Sequence, residues 1–411
     1  MRPLRCQGEC PFDFPTRRGI LLTRKAWFWG EERSMAGGPV RVALCMAAAA
    51  ALSHAADAPP LGLADVLEPI RAKHKLPALA AAVVLKGRVV ALDAVGVRKA
   101  GSDVAVTRDD QFHIGSCTKA MTATLVGLLV EQGKLKWETT LAEALPDLAD
   151  AMHPDFRPVT IRQLLCHRGG VHPNLPEGKA WADAAQGNTP REQRTCFARA
   201  HLAQPPAYKP ATQYQYSNAG YGIVGAVLER LTDTPFETLM RARLFEPLGM
   251  ASAGFGAMGT PGKVDQPWQH RVNDKVVAVA VEPGPKSDNP DPLGPGGKVH
   301  CSMADWAKFV LEHLPTSPRS PRLLRPETLA ALHEPPEGGA YALGWNVTER
   351  AWGGGRVLMH AGSNTMNYAV AWLAPRRDFA VLVATNQGNG GAEKAADEVA
   401  GALVRRFLET R

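Results

Sequence analysis

The sequence predicts an α/β (α+β) protein in which strands from the two ends of the chain form one antiparallel sheet flanked by helices, with a mainly helical region inserted between. Three observations lead there. Residues 78–97 read as two apolar strands joined at Lys86-Gly87, the pattern of a β-hairpin. Residues 341–347, 356–359, 368–373 and 379–385 read as further strands near the other end. Between these groups, over residues 140–250, apolar residues recur at helical spacing and are broken by Pro and Gly. Because the edges of a sheet seek partners, the simplest architecture pairs the N-terminal hairpin with the C-terminal strands. A site would then lie where sheet and helical region meet.

The remaining elements fit that frame. Residues 63–74 have helical spacing and lie beside the hairpin. A helix beginning at Ser116 carries Met121, Leu125, Leu128 and Leu129 before stopping at Gly133, a glycine just past its end. Helices are expected over residues 160–168 and 218–231. Residues 254–297, dense in Gly and Pro, read as loops. Ser302 and Asp305 have the spacing of a capping box for a helix over 306–314, and residues 392–408 form a closing helix.

With 45% hydrophobic and 21% charged residues in 411, the composition is that of a globular protein able to bury a large core. The net charge of +7 is concentrated early: residues 1–55 hold eight Lys/Arg against four Asp/Glu, which leaves 39 against 36 elsewhere. No basic stripe interleaves with aromatics, so a nucleic-acid partner is excluded. From Met35 the chain shows a basic residue at Arg41, an apolar run of eleven residues from Val42 to Leu52, and Ser53 and Ala55 flanking His54. That is the pattern of a cleavable signal peptide over 35–55, and the run falls short of the roughly 20 residues of a stable membrane span. Residues 1–34 are then expected to be a mis-assigned upstream extension with Met35 the true start, and 56–411 a single periplasmic or secreted domain. Its cysteines are Cys117, Cys166, Cys196 and Cys301. Export permits pairing among Cys166, Cys196 and Cys301; buried free thiols are the alternative.

Three short elements carry chemistry. Ser116-Cys117-Thr118-Lys119 opens a buried helix, and a spacing of three puts serine and lysine on one face. A serine hydroxyl is a weak nucleophile until a neighbour takes its proton, which a desolvated lysine can do. Tyr216-Ser217-Asn218 opens another helix: the phenol can relay protons, and the Asn218 amide can orient a carbonyl while its oxygen holds Lys119. His360-Ala361-Gly362 follows the strand over 356–359 and leads into Ser363-Asn364. A small residue at Gly362 lets substrate approach the backbone, and the N–H of Ser363 can join that of Ser116 in a two-donor oxyanion hole.

In this order the three elements resemble those of the serine β-lactamase-related family, which includes class C β-lactamases, D-alanyl-D-alanine carboxypeptidases and their esterase relatives, and whose fold is shared with penicillin-binding proteins. Matching phrases extend over roughly residues 63–408: Thr160-Ile161-Arg162-Gln163-Leu164-Leu165 before Gly169-Gly170, Phe245-Glu246-Pro247-Leu248-Gly249-Met250, and Leu343-Gly344-Trp345. The resemblance implies that Ser116 is acylated, Lys119 and Tyr216 handle protons, Asn218 positions substrate, and residues 360–363 form the opposite wall. It implies no metal and no organic cofactor, and small-molecule ester, amide, peptide or β-lactam substrates. The family's third element is K-T-G or H-x-G, and where β-lactamases usually have Lys-Thr-Gly this chain has His-Ala-Gly. That exchange loses a fixed charge and a hydroxyl that would hold a β-lactam carboxylate, and so favours an esterase or amidase. A class C-like β-lactamase or D-Ala-D-Ala carboxypeptidase is the alternative within the family. A non-catalytic binding protein on the same scaffold is the alternative outside it.

Other patterns are set aside. Gly220-x-Gly222-x-x-Gly225 matches a dinucleotide fingerprint but lacks a preceding strand, and is expected to let its helix pack closely. Cys166-His167 with His172, and His300-Cys301, fit no standard zinc spacing. No G-x-S-x-G elbow occurs.

Overall fold

Strand Ala78–Leu85 pairs antiparallel with strand Phe379–Thr385, from Leu79 opposite Thr385 to Leu85 opposite Phe379, so the two ends of the chain do share one sheet. The computed structural model describes residues 59–173, 186–274, 277–285, 287–317 and 319–409. The expected upstream extension and the signal at 35–55 lie outside them. The sheet has six antiparallel strands in the order Arg88–Gly96, Ala78–Leu85, Phe379–Thr385, Tyr368–Ala374, Gly355–Ser363 and Asn346–Arg350. Lys86 and Gly87, both at positive φ (50° and 78°), make the two-residue hairpin turn, as the twist of paired strands prefers.

Every residue of Ala78–Leu85 is buried because helices cover both faces of the sheet. Side chains alternate along the strand. Ala78, Ala80, Ala82 and Val84 face a core shared with Met121 and Leu125 of helix Thr118–Glu131. Leu79, Ala81, Val83 and Leu85 face a second core with Leu67 of helix Ala64–Lys73 and Ala396 and Leu403 of helix Ala392–Val404. The inserted region packs beyond helix Thr118–Glu131, and within it the long helices Pro190–Leu202 and Asn218–Thr232 run together. A Cβ on Gly222 would lie 2.8 Å from the Pro292 carbonyl, and one on Gly225 2.3 Å from Pro295. Gly222 and Gly225 therefore form a packing seam inside a helix, whereas a Cβ on Gly220 would meet only ordinary contacts, the nearest at 3.6 Å. Among the described residues, no helix is long and apolar enough to cross a membrane.

Several boundaries differ from expectation. His360, Ala361 and Gly362 do not follow a strand but belong to one, Gly355–Ser363, held by pairing with Tyr368–Leu373. The expected strand at 341–347 begins at Asn346, and Tyr341 makes only an isolated bridge to it. The helix expected over 160–168 is Ile161–Leu165, started by a Thr160/Gln163 capping box and ended where His167 takes φ +59°. Residues 254–297 contain a two-stranded ribbon, Gln269–Val272 with Ala278–Val281. Ser302 caps helix Met303–Glu312, but the box is one-sided, because the Asp305 carboxylate instead accepts from the Ser252 N–H at 2.7 Å. The expected pairing among Cys166, Cys196 and Cys301 is corrected: these and Cys117 are all free thiols, standing on different elements of the fold.

Candidate active site

Ser116 lies in the 3-10 turn Gly115–Cys117, immediately before helix Thr118–Glu131. It is half-buried, and Lys119, one turn on, is fully buried. Gly115 has φ +51°, a conformation costly for any residue with a side chain. A Cβ there would lie 2.5 Å from the Ser363 nitrogen. Across the contact, a Cβ on Gly362 would lie 2.1 Å from the Ile114 carbonyl oxygen and 2.5 Å from the Ser116 nitrogen. Two glycines thus let the nucleophile turn and strand Gly355–Ser363 touch backbone to backbone. Their contact makes Ser116 and Ser363 amides neighbours, as a two-donor oxyanion hole requires.

Lys119 Nζ has three partners: Ser116 Oγ at 3.1 Å, Asn218 Oδ1 at 2.8 Å and the Gly296 carbonyl at 2.7 Å. It also lies 4.7 Å from the centroid of the Tyr216 ring. Loss of hydration on burial brings its pKa down to about 7. A neutral amine keeps two N–H donors for Asn218 and Gly296 and turns its lone pair toward the Ser116 hydroxyl. Burial raises the pKa of the Tyr216 phenol above the usual range, and Ser116 beside it offsets this only in part. It therefore stays protonated near Ser116, a donor rather than a base.

Asn218 is the first residue of helix Asn218–Thr232, whose cap is Ser217: its hydroxyl accepts from the Gly220 N–H at 3.0 Å. The Ser217 N–H in turn donates to His167 Nδ1 at 3.1 Å. The His167 ring packs at a tilt against Tyr216 and Tyr341, with centroids at 4.3 and 4.6 Å.

His360 is placed beside this group but not at its surface. It is buried; Nδ1–H donates to the Ala361 carbonyl at 2.7 Å, and Nε2 accepts from the Tyr341 hydroxyl at 2.8 Å. Burial, with the nearby Lys119 adding to it, lowers its pKa to about 3. Both ring nitrogens are thus occupied and the ring is neutral, which makes His360 a support behind the wall and leaves the wall itself to Gly362 and Ser363. Ser116, Lys119, Tyr216, Asn218, Gly362 and Ser363 all converge as expected.

Sequence reasoning missed five contributors. The Gly296 carbonyl sits in the helical turn Gly294–Gly297, within a segment read as loop; its run of small residues was the available signal. Tyr341 and His167 had none. His113 and Asp288, a buried pair 3.0 Å apart, flank the nucleophile turn, and only the position of His113 three residues before Ser116 hinted at it.

Comparison with known proteins follows the same lines. The profile of the family described as Beta-lactamase matches residues 63–406. Penicillin-binding protein 4 of Amycolatopsis lactamdurans is 30% identical over 339 residues, 78% of this chain and 83% of that one. Unguisins hydrolase ungD' of Aspergillus campestris (strain IBT 28561) is 27% identical over 296 residues, 68% of this chain, which spans only about half (53%) of that protein. Among solved structures, a D-stereospecific amidohydrolase from Streptomyces sp. superposes with a TM-score of 0.63 at 21% identity, covering 82% of this chain and 96% of that one. At that identity the likeness concerns the fold.

Proposed function

The chain belongs to the Beta-lactamase family, and from that premise we propose that it is a serine esterase or amidase working through an acyl-enzyme on Ser116. The observation that carries this reading is the setting of Lys119, a fully buried amine hydrogen-bonded to Ser116 Oγ whose other two contacts are neutral oxygens. With a pKa brought down to about 7, its neutral form takes the Ser116 proton as Oγ attacks the substrate carbonyl. The tetrahedral oxyanion is received by the N–H groups of Ser116 and Ser363. As the carbonyl re-forms, the bond to the leaving group breaks and the leaving oxygen or nitrogen takes a proton from Lys119, by way of the Tyr216 hydroxyl. Water then attacks the ester by the reverse route, giving back the acid and free Ser116.

The substrate class follows from His360. Where β-lactamases usually have Lys-Thr-Gly, this chain presents a neutral ring with both nitrogens already bonded, so a carboxylate on the substrate finds no charge there. Uncharged acyl groups lose nothing. The name of one relative, a hydrolase of unguisins, supports hydrolysis as the reaction. The same proposal carries an exported enzyme beginning near Ala56, which N-terminal sequencing of periplasmic material checks.

The test is a panel of p-nitrophenyl butyrate, nitrocefin and a D-Ala-D-Ala peptide, run with Ser116→Ala and a fluorescent fluorophosphonate. The ester should have the highest kcat/KM, and labelling should vanish in Ser116→Ala. Preference for nitrocefin would move the assignment to a β-lactamase, and absence of labelling to a binding protein.

A further inference from the structure

We propose that Asp288 is a positioning residue for the oxyanion hole, holding His113 in the tautomer that fixes Gly115 on one side of the site and holding Asn364 on the other. The inference rests on the hydrolase reading above and adds a residue to it.

The Gly115 N–H donates to His113 Nδ1 at 3.1 Å. A ring nitrogen that accepts carries no hydrogen, so the hydrogen of the neutral imidazole is on Nε2. That nitrogen lies 3.0 Å from Asp288 Oδ2 and donates to it. His113 and Asp288 side chains are 0% and 2% exposed, and with water excluded the carboxylate fixes the tautomer strongly. The other carboxylate oxygen, Oδ1, accepts from Asn364 Nδ2 at 2.9 Å and from the Asn289 N–H at 2.7 Å. Asn364 follows Ser363 directly, and its own Oδ1 accepts from the Asn367 N–H at 2.9 Å, closing the turn that leaves the strand.

One carboxylate therefore reaches the residue before Ser116 and the residue after Ser363, the two whose amides form the oxyanion hole. The adjacent Asn289 adds a third tie. Its Nδ2 donates to the Gly297 carbonyl at 2.8 Å, next to the Gly296 carbonyl that holds Lys119. The Asp288-Asn289 pair thus brackets the nucleophile turn, the oxyanion strand and the lysine's acceptor without touching a reacting atom.

Asp288→Asn keeps the volume and inverts the hydrogen bond. The new amide donates to His113 Nε2, the ring hydrogen moves to Nδ1, and there it meets the Gly115 N–H head on. Gly115 must shift, and the Ser116 amide with it. Because a misplacement of about 1 Å can cost on the order of 100-fold, kcat on p-nitrophenyl butyrate, counted per fluorophosphonate-titrated site, should fall about 10- to 100-fold. KM should stay within about threefold, since uniform binding is untouched, and the midpoint of the pH–rate profile should not move, since Lys119 stays buried with its Asn218 and Gly296 contacts in place. If Asp288→Asn does not accumulate folded, Asp288→Leu, which fills the space but offers neither His113 nor Asn364 an acceptor, carries the same expectation. A per-site kcat equal to wild type, with loss only of thermal stability or of titratable sites, overturns the inference and leaves the hydrolase reading standing. Wild-type protein that turns over none of the three substrates overturns both.

Discussion

The carbonyl of Gly296 lies 2.7 Å from Lys119 Nζ, and that acceptor completes a cage of three oxygens around a buried amine. None of the three carries a charge. The cage orients the lysine while leaving desolvation uncompensated, which brings its pKa to about 7 and makes it a base at physiological pH.

The first prediction concerns pH. Protonated Lys119 cannot accept from Ser116, so kcat/KM for p-nitrophenyl butyrate should rise with pH through a midpoint near 7 and level off above it. Lys119→Arg fixes the charge and should lower the plateau by about 10²–10⁴-fold, the usual worth of a general base. A rate independent of pH between 5 and 9 would remove Lys119 from that role.

Gly362→Ala tests the backbone contact. Its Cβ would stand 2.1 Å from the Ile114 carbonyl and 2.5 Å from the Ser116 nitrogen, and both are main-chain atoms that cannot step aside. The strand must back away from the nucleophile turn, so kcat should fall about 10²–10³-fold, as when one oxyanion donor is lost. Overpacking should also cost stability, about 1–3 kcal/mol in a denaturant melt. Ser363→Ala is the control: that side chain is exposed and its contribution to the hole is its N–H, so activity should be nearly unchanged.

What could be read from sequence divides by the range of the contact. Ser116 and Lys119 were legible because three residues of helix bring them together, and Tyr216 with Asn218 because a helix start fixes both. The sheet was legible because apolar runs mark strands wherever they pair. Asp288 was not, since it meets His113 across 175 residues of chain, and an Asp-Asn pair in a Gly- and Pro-rich stretch reads as turn chemistry. The strand ending at Ser363 was cut short at Met359 for a similar reason. His-Ala-Gly has no strand preference of its own, and pairing with Tyr368–Leu373 supplies it. His360 itself was placed correctly along the chain, but its burial behind the wall depends on Tyr341, a partner that no local pattern announces.

Acid should destabilise the protein through its buried histidines. His167, His201, His270, His300, His313, His333 and His360 are all held below the usual histidine range by burial. His313 Nδ1 and His333 Nε2 lie 2.9 Å apart and share one hydrogen, and His333 titrates only at about 4. The sign follows from the depressed folded values. Below the unfolded value near 6.5 the unfolded chain binds protons that the folded one refuses, so stability falls as pH drops from about 6.5 to 4. His333→Gln removes one such group, and the slope of unfolding free energy against pH in that window should flatten by up to about 1.4 kcal/mol per unit. Urea melts at pH 4.5, 5.5 and 6.5 measure it, and an unchanged slope would show that this pair is not among the groups responsible.

Lys119→Met separates the catalytic use of the lysine from its cost to the fold. In the folded protein the amine is neutral above about pH 7, whereas in the unfolded chain it stays cationic to about 10.4. Between those values the unfolded state binds the extra proton, so each unit of falling pH weakens the wild type by about 1.4 kcal/mol relative to a variant with nothing to titrate there. Methionine fills similar space but leaves Asn218 Oδ1 and the Gly296 carbonyl without a donor, a loss of about 1–3 kcal/mol that does not depend on pH. The two effects oppose each other at pH 7 and only one remains near pH 10. The difference in unfolding free energy, wild type minus Lys119→Met, should therefore increase steadily from pH 7 to pH 10, by several kcal/mol in all, while the variant shows no turnover at any pH. Parallel stability curves across that range would mean that Lys119 is charged in the folded protein, and the base for Ser116 would have to be sought elsewhere.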